Sequence, residues 1–189
     1  MKRSTLILSC LLALGLTAAC VKQSLQSTYD KQTSYIENFV TTQMKADTNA
    51  TLTRNGGSYR LTLADTLDRV YGERDSLREG GRVALWYACF TLTGNSISAS
   101  NLVATNVREV AEQAKWKLTD STIVFRLDTI TVDKKLVEGL HLGLQGVQQY
   151  DQGFVLFTGE YGFGNISRGT IPARSALVYQ FLIDEIFND

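Results

Sequence analysis

The sequence predicts an α+β domain: an antiparallel β-sheet curved over one short helix, with an extra helix at the N-terminus and another inserted between strands. Three observations predict it. From residue 50 onward, segments rich in β-branched and aromatic residues dominate the pattern. The helical patterns between them are short. The strands do not alternate with helices at the spacing βαβ units require, so the sheet is expected to be antiparallel.

Taken in order, the chain opens with Lys2 and Arg3, then an apolar run of 12 residues at 5–16. That length suits the apolar core of an export signal and is too short to cross a bilayer. The run ends in Leu16-Thr17-Ala18-Ala19-Cys20, small residues before a Cys, which resembles a bacterial lipobox. Residues 1–19 are therefore expected to be a lipoprotein signal peptide and Cys20 the acylated new N-terminus. An ordinary export signal cut after Ala19 is the alternative. Two or more acyl chains, at about 0.8 kcal/mol per buried CH₂, anchor a protein firmly.

Residues 20–49 are expected to hold the lipidated Cys, a polar tether at 21–28 and a helix at 29–44. Tyr29, Ile36, Phe39 and Val40 fall on one face of that helix. Packing on its own domain, or a partly exposed stalk, is the expectation, and a partner-binding face the alternative. A polar break follows at 45–49.

The domain proper is expected at 50–189. Asn55-Gly56-Gly57 between two short β-rich segments predicts a hairpin, because Asn-Gly supplies the positive φ of a tight turn. Residues 65–78 read as a loop with a helical turn. The run Val83-Ala84-Leu85-Trp86-Tyr87-Ala88-Cys89-Phe90-Thr91-Leu92 is the strongest strand signal in the middle of the chain. Residues 94–104 are small and polar. Asn106 and Glu109 form a capping pair before Val107, Val110, Ala111 and Ala114, which predicts a helix at 107–115. A strand is expected at 122–127, a short helix at 138–150 with Leu140, Leu144 and Val147 on one face, and strands at 153–158 and 175–187.

Composition and motifs exclude several functions. Hydrophobic residues are 44% and charged residues 20%, with 19 basic against 19 acidic. Loss of Lys2 and Arg3 would leave 17 basic residues. A near-neutral chain offers no electrostatic basis for binding nucleic acid. No phosphate-cradling glycine loop is present, and Gly159, Gly162 and Gly164 lie in the wrong context for a dinucleotide fingerprint. One His rules out multi-His zinc sites, and His141 is expected to face solvent or cap a helix. No acid–base carboxylate pair stands out, and no cofactor or metal is expected. Cys10 would leave with the signal and Cys20 carry lipid, so Cys89 is expected to be a lone buried core residue.

The stretch 136–187 carries the most specific pattern. It runs Leu136-Val137-Glu138-Gly139-Leu140, a short helix, Phe154-Val155-Leu156-Phe157-Thr158, Tyr161-Gly162-Phe163-Gly164, Thr170-Ile171-Pro172-Ala173, and a final apolar strand. Upstream, Tyr87 stands at matching spacing from Gly94, Ile97 and Ser98. This order resembles the FK506-binding (FKBP-type) peptidyl-prolyl isomerase domain across about residues 57–187. The resemblance implies an apolar pocket lined by Tyr87, Ile97, Phe125, Leu136, Val137, Leu140, Phe163, Ile171 and Tyr179. The backbone of the Leu136-Val137 pair would hold the ligand. It also marks differences. Ser98 stands where the family has Asp, Leu140 where it has a Trp floor, Ile97 where it has Phe, Phe163 where it has a hydroxyl-bearing Tyr, and Tyr179 where it has Phe. Residues 99–121 exceed their counterpart and bring a helix beside the pocket, and the loop at 165–170 is shorter.

The chemistry implied makes and breaks no covalent bond. Rotation about a peptide bond costs ~18–20 kcal/mol because it destroys amide resonance. An apolar, shaped pocket lowers that barrier by fitting the twisted amide better than the planar one, at tenfold per ~1.4 kcal/mol. The resemblance therefore implies a membrane-anchored periplasmic isomerase acting on proline-containing polypeptides, held to the outer membrane through acylated Cys20. The alternative is a weak or inactive FKBP-like lipoprotein that binds proteins through the pocket or the inserted helix.

Overall fold

A computed structural model describes residues 2–63, 74–119 and 124–188, with side chains from Gln23 onward. The chain divides into two compact units, residues 1–31 and 32–189. Helix α1 (Lys2–Ala46) accounts for the first unit. The segment at 21–28, expected as a tether, is helical. Its Gln26 side chain donates to Asp30 Oδ1 at 2.9 Å, and the Thr28 hydroxyl donates to the Ser24 carbonyl at 3.0 Å. Neither Gly nor Pro interrupts it, so nothing local ends the helix. The side chains of residues 1–22, and so those of the expected signal and of Cys20, lie outside the described residues.

The second unit is built on a seven-stranded antiparallel sheet. Its elements are β1 (Thr51–Asn55), β2 (Ser58–Thr62), β3 (Arg82–Thr91), β4 (Leu102–Thr105), α2 (Arg108–Gln113), β5 (Asp128–Thr131), α3 (Glu138–Leu144), β6 (Gln152–Phe157) and β7 (Leu177–Phe187). The order is β1-β2-β6-β7-β3-β4, with β5 also on β3. The β1–β2 hairpin turns at Gly56, φ 55°.

Alternation along the strands sorts side chains to two faces. Val83, Leu85 and Cys89 on β3, Val155 and Phe157 on β6, and Leu177, Phe181 and Ile183 on β7 share one core with Leu140 and Leu144 of α3. Phe154, Leu156 and Val178 share another with Ile36, Phe39 and Val40, the apolar stripe of α1. Phe39 is 2% exposed and meets Phe154 edge-on, ring centroids 5.2 Å apart. Ala88 and Phe90 meet Leu102, Val110, Ala114 and Trp116 on that same outer face. Thus α1 packs on its own domain.

Several local expectations are corrected. Helix α3 ends at Leu144 rather than Tyr150, because Gly146 turns the chain at φ 69°. Its end carbonyls are taken by β1 and β2: Arg60 donates to Gly143 O at 3.1 Å and Gln145 O at 2.5 Å, and Asn55 donates to Leu142 O at 3.1 Å. Asn106 does not cap α2. Its amide donates to Leu85 O at 2.9 Å and accepts from Tyr87 N–H at 2.7 Å, extending the hydrogen bonding of β3 beyond β4. Val107 is the helix's flanking residue, with no side-chain cap. Residues 102–105, most of them within the stretch 94–104 that reads as small and polar, form β4. The strand expected at 122–127 lies partly outside the described residues, its remainder is not strand, and β5 starts at Asp128. Most of the 65–78 loop is outside them as well.

Candidate functional site

Seven of the nine pocket candidates pack against the core on the α3 face: Tyr87 from β3, Leu136 and Val137 before α3, Leu140 on α3, Phe163 and Ile171 from the loop at 159–174, and Tyr179 from β7. Leu140 and Ile171 are buried, at 6% and 9% exposure, while the other five are half-buried. An apolar surface formed this way is partly open to a ligand. The rings are set by alternation on paired strands. Tyr179 lies 6.1 Å from Tyr87, tilted 41°, and 6.0 Å from Phe157, stacked at 20°. Cys89 pairs with Tyr179 across β3 and β7.

Glycine brings α3 down onto this surface. A Cβ at Gly139 would stand 2.1 Å from the Phe157 ring, and one at Gly143 2.3 Å from Val155. The Gly139 N–H donates to Tyr161 O at 2.8 Å, tying α3 to the loop that carries Phe163. Val137 flanks the helix, and its carbonyl accepts from Leu140 N at 3.0 Å and His141 N at 2.9 Å. Its own N–H has no acceptor among the described residues.

The polar groups under this surface are neutral donors. Burial pushes the Cys89 thiol up to about 12, partly offset by a hydrogen bond with the Tyr179 hydroxyl. Burial, and then Cys89 and Tyr87, push the Tyr179 phenol well above its ordinary value. Tyr87 is also raised, first by burial, then by Asp128 and Cys89. Neither phenol ionises at neutral pH, so neither serves as a general base there.

Two candidates stand elsewhere. Ile97 packs against the two clusters on the outer face, and Phe125 lies under the Arg108 guanidinium, 4.8 Å from its ring centroid. The reason is the chain path after β3. The turn at 94–101 is longer than a tight hairpin, so the returning strand starts at Leu102, and Val103 and Ala104 reach the Tyr87 side. Ser98 is exposed and its hydroxyl donates to Asn101 Oδ1 at 2.6 Å. Asp128 stands opposite Leu85 in the β3–β5 pairing, and its charge adds to the effect of burial in raising the Tyr87 phenol. His141 is also corrected: it is buried at 9% exposure, with Nε2 3.2 Å from the Gln145 amide and Nδ1 without a partner among the described residues. Among the described residues no cluster of His, Cys, Asp or Glu could hold a metal ion.

A concavity lies on the outer face. It encloses about 640 Å³ between Trp86, Gln180 and Leu182 of the sheet and the start of α2, with Arg108 and Phe125 at its wall and Tyr87 also in its lining.

No protein-family model matches the chain, and no curated protein matches it in sequence. Solved structures do match. A structure of the three FKBP domains of wheat FKBP73 aligns with a TM-score of 0.54 at 16% identity, over 74% of this chain and 52% of that one. FkpA from Escherichia coli aligns with a TM-score of 0.54 at 12% identity, over 96% and 71%. A peptidyl-prolyl cis-trans isomerase from Pseudomonas syringae pv. tomato aligns at 0.52 and 11% identity, over 86% and 96%. This chain spans about half the length of the wheat structure. Likeness at these identities is one of fold, and the fold is FKBP-like.

Proposed function

We propose that this protein is a membrane-anchored periplasmic peptidyl-prolyl cis-trans isomerase of the FKBP type, assisting the folding of envelope proteins. The observation that carries the reading is the gathering of Tyr87, Leu136, Val137, Leu140, Phe163, Ile171 and Tyr179 on the α3 face of such a fold. A prolyl ring enters among Tyr87, Phe163, Ile171 and Tyr179, above Leu140. The free Val137 N–H donates to a substrate carbonyl and fixes the peptide while the imide bond rotates. Water is kept from the twisting amide by the aromatic walls, which favours the less polar twisted form over the planar one. No proton transfer, nucleophile or metal takes part. Acylated Cys20 is the anchor, and the periplasmic side of the outer membrane its location.

NMR exchange spectroscopy on a panel of X-Pro peptides with the purified full chain tests this. Acceleration of cis–trans exchange that falls at least about tenfold in Tyr87→Ala or Ile171→Ala, a loss of ~1.4 kcal/mol of transition-state stabilisation, supports the enzyme and its site. No acceleration on any peptide, from a sample shown to be folded, sinks it.

A second reading is favoured by the outer-face cavity beside α2, together with Phe163 and Ser98, which lack the hydroxyl and carboxylate of the resembling family. Here the chain is a non-catalytic FKBP-like module that binds polypeptides. It predicts peptide binding that Trp86→Ala weakens and Ile171→Ala leaves alone.

A further inference from the structure

The loop at 159–174 leaves β6 and returns to β7, and it carries Phe163 and Ile171. Its two ends meet. A Cβ on Gly159 would lie 2.6 Å from the carbonyl carbon of Arg174. Arg174 takes the sparsely populated left-handed conformation, φ 59°, which a non-glycine residue keeps only where its surroundings hold it. Its N–H donates to Gly164 O at 2.6 Å and its Nε to Asn165 Oδ1 at 2.5 Å. Two backbone groups at this neck remain without a partner inside the loop: the Gly159 N–H and the Arg174 carbonyl.

Gln32 of α1 serves both. Its Oε1 accepts from Gly159 N–H at 2.8 Å, and its Nε2 donates to Arg174 O at 2.5 Å. The side chain is 9% exposed. A primary amide offers a donor and an acceptor from one planar group, and Gln has the reach. Ile36, Phe39 and Val40 follow at i+4, i+7 and i+8 on the same helical face, so their burial fixes where the amide stands. The helix that covers the outer face thereby holds both ends of the loop that walls the opposite one.

We infer that Gln32 is a positioning residue, closing the neck of the 159–174 loop and so holding Phe163 and Ile171 against Tyr87 and Tyr179. This inference rests on the α3 face being the peptide site. Satisfaction of two buried backbone groups would by itself be a structural role. The positioning role adds that release of the neck frees the loop selectively and weakens handling of peptide.

The test compares the full chain with Gln32→Met, which keeps length and volume but has no amide, and Gln32→Glu, which keeps the acceptor for Gly159 but has no donor for Arg174. Hydrogen exchange is read residue by residue. In Gln32→Met the amides of Gly159, Gly164 and Arg174 are expected to exchange about tenfold faster, the scale of one lost hydrogen bond. Those of β3 and β7 should change by less than about twofold. In Gln32→Glu, Gly159 should stay slow while Arg174 speeds up. If Gln32→Met does not fold, the split expected of Gln32→Glu decides alone. Unchanged loop exchange, or equal acceleration in every strand, overturns the clamp. Isomerase kinetics separate the two claims: a raised KM with kcat nearly unchanged supports positioning. Loop release with unaltered turnover overturns positioning and leaves the isomerase standing. Wild-type protein that neither binds nor turns over peptide overturns the site, while its exchange data still decide the clamp.

Discussion

The two faces of the sheet are closed by different kinds of element. On one, α3 precedes β6, lies directly on Phe157 and Val155, and needs Gly139 and Gly143 to come that close. On the other, α1 and α2 cover β3, β6 and β7, and α1 reaches them from far up the chain. The first face gathers Tyr87, Phe163, Ile171 and Tyr179 on one apolar surface, while the second carries the stripe of α1 and the cavity beside α2. A covering element next in sequence to its strands has its position dictated by short connections. One that arrives from a distance is free to differ, and here α1 brings Gln32 to the neck of the 159–174 loop.

The largest expected effect falls on the α1 face. Phe39→Ala should cost about 3–5 kcal/mol in urea unfolding, from lost burial and the cavity left beside Phe154. A loss under about 1 kcal/mol would mean that α1 is an appendage rather than part of the core. On the α3 face, Gly139→Val should cost about 2–3 kcal/mol, because its side chain must displace the Phe157 ring. Gly146→Ala, at φ 69° with open space around it, should cost only about 1 kcal/mol through backbone strain. If the two glycines cost the same, close approach of α3 is not what Gly139 provides.

The pH dependence sharpens the contrast, since Cys89 and Tyr179 lie on the α3 face alone. Both are raised above their unfolded values, so the folded state holds their protons more tightly. Their contribution is fully present at neutral pH and is lost as pH rises past about 9, the ordinary thiol value, toward about 12. Unfolding free energy should therefore fall on that alkaline limb, less steeply in Cys89→Ala. The smallest effect is expected of Arg108→Ala, about 0.5–1 kcal/mol from the cation–π contact with Phe125. It should leave X-Pro turnover unchanged, since Arg108 lies at the outer-face cavity.

What was legible in the sequence follows the same division. The order Leu136-Val137, Gly139, Tyr161-Gly162-Phe163-Gly164 and Ile171 is a run of local spacings, and the structure brings its apolar members to one surface. The stripe of Ile36, Phe39 and Val40 was readable as a buried face, but nothing in it named Phe154 or Val178 as its partners. Ile97 was misplaced because ungapped spacing from Tyr87 assumes a hairpin length that the turn at 94–101 does not keep. Asn106 and Glu109 had the form of a capping pair, yet the unpaired backbone of β3 claimed the Asn106 amide first. Gln32 reads in sequence as one more polar residue on a helix. Only the meeting of Gly159 with Arg174 gives it a task.

If the protein acts as proposed, proline-containing peptide binds on the α3 face. Amide and side-chain NMR shifts of the full chain, titrated with an X-Pro peptide, test it most directly. Perturbations are expected at Val137, Phe163, Ile171 and Tyr179, with Trp86, Arg108 and Leu182 still. Perturbations confined to those last three would contradict it and move the binding site to the cavity beside α2.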